Sequence, residues 1–114
     1  MNEIENLAVA TWTHSSYNDI WPMYYNQFRK CAPFLKKHYM IVNEHDHKHP
    51  DSECIQVINK ENEPYYKRFT ESMAQIEEDY VLYMQEDFVL HSTVKKSNIE
   101  SIFNFLKNSK HSFV

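Results

Sequence analysis

Two neighbouring acids, Glu86 and Asp87, directly follow the apolar run Tyr80-Val81-Leu82-Tyr83-Met84 and Gln85. Carboxylates leaving a buried strand are costly to desolvate unless they face water or hold a cation. Oxygen donors of this kind suit Mg²⁺ or Mn²⁺, which can bridge the diphosphate of a nucleotide and stabilise it as a leaving group. The plainer reading is a polar loop beginning where a strand ends, and both readings stay open on these residues alone. A second cluster, His45, His47 and His49, alternates along a very polar stretch. An extended backbone would put its three imidazoles on one face, as zinc or nickel ligands or, more simply, as a solvated, flexible loop titrating near neutral pH.

Other chemistries find less support. Cys31 falls on a helical apolar stripe and Cys54 opens a strand, so both read as reduced packing thiols, and no Cys-x-x-Cys spacing exists. His14, Ser15 and Ser16 are close in sequence, but serine is expected there as a helix cap. Glycine is missing from all 114 residues, which excludes the glycine-rich phosphate loops of dinucleotide-binding and P-loop proteins. Any phosphate must be held by side chains or a metal.

The elements that position the acids follow from periodicity. Leu7–Trp12 reads as a buried strand, and Ile20, Tyr24, Phe28 and Cys31 as a helix face, with Ser15 or Ser16 as cap and Pro33 past its end. Pro22 either sits in the first turn or moves the helix start to itself. Tyr39–Val42 is a second strand closing at Asn43, followed by a long exposed loop through Ser52. Cys54–Ile58 is a third strand. Pro64 opens a helix with Tyr66, Phe69, Met73 and Ile76 in register, and Tyr80–Met84 forms a central strand that delivers the acids at its carboxyl end. Ile99, Ile102, Phe103 and Leu106 mark a last helix, and another strand is expected to begin at 111–114.

The order βαββαβα predicts one α/β domain over residues 1–114, a three-layer fold around a mostly parallel sheet. In such sheets ligands bind beyond the carboxyl ends of the strands. A formal charge of −4, from 12 basic and 16 acidic residues, disfavours nucleic acid as a partner. No apolar stretch is long enough to span a bilayer, and the first residues lack a signal peptide's basic and apolar regions, so a cytoplasmic protein without a membrane span is expected. Aromatic residues, 15% of the chain, should line both core and cleft.

This succession resembles the N-terminal, nucleotide-binding half of GT-A-fold glycosyltransferases. The resemblance runs from Leu7–Trp12 through Tyr17-Asn18-Asp19-Ile20-Trp21, Tyr39–Asn43 and Tyr65-Tyr66-Lys67-Arg68-Phe69 to Tyr80–Asp87. It implies a truncated nucleotide-diphospho-sugar-transferase-like fold that binds a nucleotide-diphosphate sugar. In that family the strand before the site ends in an acidic motif, such as Asp-x-Asp, that binds metal and donor. Here Gln85-Glu86-Asp87 matches it, with Gln85 in place of the first acid. The resemblance therefore assigns Asp87 and Glu86 to a Mn²⁺ or Mg²⁺ ion. It assigns Thr11, Trp12, Thr13, Asn43, Glu44, Arg68 and Gln85 to the nucleotide sugar, and it assigns no catalytic residue. The family's acceptor-binding half has no counterpart after Asp87. Two functions follow as expectations: a glycosyltransferase-like donor-binding domain, or a non-catalytic binding module that associates with a second copy or another subunit through its sheet edge.

Overall fold

The computed structural model describes residues 4–49, 53–90 and 92–109. Residues 50–52 of the long polar loop and the expected strand start at 111–114 lie outside the described residues. The elements are β1 (Leu7–Trp12), a 3-10 turn (Ser15–Tyr17), α1 (Trp21–Cys31), β2 (His38–Asn43), β3 (Ile55–Asn59), α2 (Tyr65–Met73), β4 (Tyr80–Gln85) and α3 (Lys96–Asn108). The predicted order is therefore present in an α/β arrangement. The four strands form one all-parallel sheet in the order β3-β2-β1-β4.

Strand parity sorts the side chains between the two faces. Val9 and Thr11 of β1 join Met40 and Val42 of β2 on the face covered by α1, where Trp21, Tyr24, Tyr25, Phe28, Phe34 and Leu35 complete the larger core. Ala8 and Ala10 face the other way, with Tyr39, Ile41 and Val57, against Met73 and Ile76. Two alanines in the middle strand keep that second layer thin and let α2 lie close to the sheet. Helical segments on both faces are compatible with three layers.

Several expectations need correction. The strand carrying the acids is not central: β4 pairs only with β1 and forms an edge of the sheet. Its burial alternates, and none of its residues is fully buried. The central positions go to β1 and β2, because α2 carries the chain across the sheet to the free side of β1. Helix α1 starts at Trp21 with Pro22 in the first turn, where the missing amide costs nothing. The serines begin a separate 3-10 turn, capped by the His14 side chain. Helix α2 ends at Met73, so Ile76 lies beyond it, and Tyr66 points outward at 73% exposure. The packed face of α2 is set by Phe69, Ser72 and Met73, and the rings of Tyr65 and Phe69 lie 5.1 and 6.2 Å from that of Trp12.

The histidine loop is exposed at Glu44, Asp46, His47 and Lys48, as expected, but it is not wholly solvated, since His45 is half-buried and His49 is buried. The rings of His45 and His49 lie 5.3 and 6.1 Å from Trp21, that of His47 at 6.4 Å, and His49 is buried against Tyr25 at 4.8 Å. An imidazole has apolar faces as well as polar nitrogens, so a segment that looks wholly polar can still cover an aromatic core. Both cysteines are buried and neither forms a disulfide, as expected of packing thiols.

Without glycine, one junction uses asparagine for a left-handed backbone. Asn6 has φ of 62°, a conformation that asparagine tolerates better than most residues. Its side chain accepts from the Asp79 amide at 2.9 Å and donates to the Asp79 carboxylate at 3.1 Å, while its carbonyl accepts from Tyr80 at 3.2 Å. The start of β4 is thereby fastened to the start of β1.

Candidate functional site

Strand order and connection direction together locate the site. Beyond β1 the chain passes through α1 to β2 on one side, whereas β3 returns through α2 to β4 on the other. The chain thus diverges between the carboxyl ends of β1 and β4, where a crevice opens in sheets of this kind. A cleft of about 370 Å³ lies there, lined by Trp12, Thr13, His14, Tyr17, Ile20, Gln85, Glu86 and Asp87. Larger and polar hollows exist elsewhere, but this one combines the switch in strand order with the two acids.

The floor of the cleft is rigid. The Trp21 indole donates to Thr13 Oγ1 at 3.0 Å, which ties the end of β1 to the start of α1. One position earlier on the same face, Thr11 Oγ1 and the Tyr24 hydroxyl share a buried hydrogen bond of 2.9 Å. Burial pushes the Tyr24 phenol up to about 12, so it remains protonated at physiological pH.

The His14 wall belongs to a network that joins three strand ends. The Ser16 amide donates to His14 Nδ1 at 3.1 Å, so in the neutral ring the proton sits on Nε2, which donates to Glu61 Oε1 at 2.6 Å. That hydrogen bond, reinforced by imidazolium charge when the ring is protonated, holds the Glu61 carboxyl below its usual value. Asn43, at the end of β2, accepts from the Ser15 amide at 2.7 Å and donates to Ser15 Oγ at 2.9 Å. It also reaches Glu61 at 3.5 Å. The loop after β1 is therefore fixed from β2 and from the loop after β3.

The acids differ from each other. Asp87 is exposed, whereas Glu86 is half-buried. Burial, and secondarily the negative charge of Asp87, raises the Glu86 carboxyl above its usual range. Among the described residues neither acid forms an ion pair with a lysine, arginine or histidine. A half-buried carboxylate raised in this way gains most from a cation, which would favour its charged form.

The residues singled out from the sequence therefore separate into three groups. Trp12, Thr13, Gln85, Glu86 and Asp87 line one cleft. Thr11 and Asn43 are buried and engaged with Tyr24 and Ser15, so they support the cleft without lining it, and Glu44 is exposed away from it. Arg68 lies on the α2 side of the sheet, with its guanidinium 5.5 Å from the Trp12 ring and Nε donating to Asn59 Oδ1 at 2.9 Å. Trp12 stands between Arg68 and the cleft. Among the described residues no group of three or more His, Cys, Asp or Glu side chains is arranged to hold a metal ion, so His45, His47 and His49 do not form a ligand set. His45 instead meets Gln56 at 2.9 Å, and its Nδ1 accepts from the His47 amide at 3.0 Å.

The remaining cleft residues were only partly legible in advance. His14, next to the strand-end Thr13, carried a positional signal, whereas Glu61 is 47 residues away and reaches His14 only through the fold. Tyr17 and Ile20 looked like helix positions and instead line the cleft from the 3-10 turn and the segment after it. Among the described residues no helix is long and apolar enough to cross a membrane. In comparisons with known proteins, no family model, no curated protein and no solved structure matches this chain.

Proposed function

We propose that this domain binds a nucleotide-diphosphate sugar in the cleft between the ends of β1 and β4, as the donor-binding part of a glycosyltransferase of GT-A type. The observation that carries the reading is the meeting of Glu86 and Asp87 with Trp12, Thr13 and His14 at the switch in strand order. Two carboxylates and the Gln85 carbonyl are hard oxygen donors suited to Mg²⁺ or Mn²⁺, and phosphate oxygens and water would fill the remaining positions. Such an ion, when bound, neutralises the diphosphate and stabilises it as a leaving group. Glu86 and Asp87 would hold it, and among the described residues no other acid lines the cleft.

The chain's own residues do the positioning. Trp12 offers a ring for a sugar or a base, and Arg68 holds that ring from behind by cation–π contact. Thr13 and His14 present polar atoms near the acids, and their orientation is fixed by Trp21 and Glu61. Isothermal calorimetry with UDP or GDP and Mn²⁺ tests this directly. The wild-type chain is expected to bind only with the cation present, and Asp87→Ala to weaken binding by about tenfold or more. No nucleotide binding by the wild type, with or without Mn²⁺, would refute the assignment.

A further inference from the structure

Among the described residues the outer sides of β3 and β4 are unpaired, and their surroundings differ. β3 is itself uncharged, but the hollow at its end is lined by Lys60, Glu63, Lys67, Arg68 and Glu71, a mixture of charges of the kind that discourages strand addition. The β4 edge, Tyr80-Val81-Leu82-Tyr83-Met84-Gln85, contains neither charge nor proline. Beside it runs a hollow of about 490 Å³, walled by Leu7, Ile99, Ile102, Phe103 and Leu106. Val81 and Tyr83 are each 37% exposed and Ile102 is 45% exposed. Lys96, Glu100 and Lys107 of α3 line a separate hollow with Ile4 and Glu5, and the two hollows meet at Phe103.

Acids close both ends of the apolar strip. Glu77, Glu78 and Asp79 precede β4, and Glu86 and Asp87 follow it. Of these, Glu78 lies 4.0 Å from Lys37, and among the described residues the other four form no ion pair. This pattern disfavours self-pairing. Antiparallel pairing of two β4 edges would bring Glu77 and Asp79 of one copy against Glu86 and Asp87 of the other, and parallel pairing would also set acid on acid.

We infer that the β4 edge is a docking site for an extended segment of another protein, apolar at alternate positions in its centre and carrying lysine or arginine at both ends. The segment adds as a fifth strand. Its backbone takes up the free amides and carbonyls of β4, every second side chain enters the hollow beside α3, and its terminal cations meet the two acidic ends. Because Glu86 and Asp87 also line the cleft, the test uses the chain without nucleotide or Mn²⁺, so that a failure here leaves the donor-site reading untouched.

The test uses a fluorescent peptide of about ten residues, long enough to overrun the edge strand at both ends, with alternating Val and Thr between terminal Lys residues. The intact chain should bind it saturably, and backbone amide shifts should be confined to residues 77–87 and to α3. The same peptide with Glu at both ends should bind at least tenfold more weakly. Glu77→Lys, an exposed substitution, should narrow that difference by weakening the Lys-ended peptide and strengthening the Glu-ended one, and Val81→Lys should weaken both. The inference is overturned if the Lys-ended peptide does not bind, if both peptides bind equally, or if the shifts map elsewhere. It is also overturned if sedimentation shows a β4-paired dimer that the peptide does not dissociate.

Discussion

Strands β2 and β4 flank the same central strand and begin as similar apolar and aromatic runs, yet they have opposite fates. Every residue of His38–Asn43 is buried, because β3 covers its free side and both faces are packed. Tyr80–Gln85 alternates between half-buried and exposed, and nothing among the described residues pairs with its outer side. β2 ends in Asn43, which holds other loops in place, whereas β4 ends in acids that no described cation satisfies. In this molecule burial is concentrated on one side of β1, and exposed apolar and acidic surface on the other.

The sharpest way to break that contrast is a matched pair of truncations. Ile41→Ala, at a fully buried β2 position, should cost about 3 kcal/mol by loss of transfer energy and creation of a cavity. Leu82→Ala, at the half-buried position of β4 on the opposite face, should cost about half as much or less, since solvent can reach the vacated space. Urea midpoints at constant slope measure both. Equal losses would mean that β4 is covered by a partner in solution.

A smaller effect is expected at Tyr39, whose hydroxyl donates to Glu78 Oε1 at 2.8 Å and anchors the turn before β4 to β2. Tyr39→Phe should cost about 1 kcal/mol and should loosen β4 more than β2, as read by amide exchange of the two strands. Uniform loosening would argue that the hydroxyl does not link them.

The smallest effect concerns Glu86, and its sign follows from linkage. A carboxyl raised in the folded state favours folding below its unfolded value, near 4.5, and that contribution is lost as pH rises through the folded value. Glu86→Gln should therefore be slightly more stable than the wild type near neutral pH, by less than about 1 kcal/mol given solvent screening, and the two should converge below about pH 4. Thermal melts across this range provide the check. Added Mn²⁺ should stabilise only the wild type if the cation site exists, and so reverse the order at neutral pH.

Much of the fold was legible in the sequence. The bounds of β1 match, those of the other strands agree within a residue or so, and the βαββαβα order stands, because apolar runs and helical spacing are local properties. Edge and centre are not local: Tyr80–Met84 reads as a buried strand, and only the route of α2 across the sheet puts it outside. The histidine loop is exposed as its polarity implies, and only the packing of His45 and His49 escapes the sequence, since the Trp21 and Tyr25 rings that receive them come from a distant segment. Of the candidate site, the acids and the end of β1 were visible in advance, and the clamp made by Glu61 and Asn43 was not.

Asn6 gives β4 a fixed end and a loose one. Its side chain and carbonyl hold Asp79 and Tyr80 at the start of the strand, while Glu86 and Asp87 at the far end have no comparable tether. Opening should therefore proceed like a zipper from the acid-bearing end, with Gln85 and Met84 released before Val81. The same fraying would widen the mouth of the cleft without unfolding the sheet, so a single asparagine beside the opposite pole of the strand sets how far that mouth can gape.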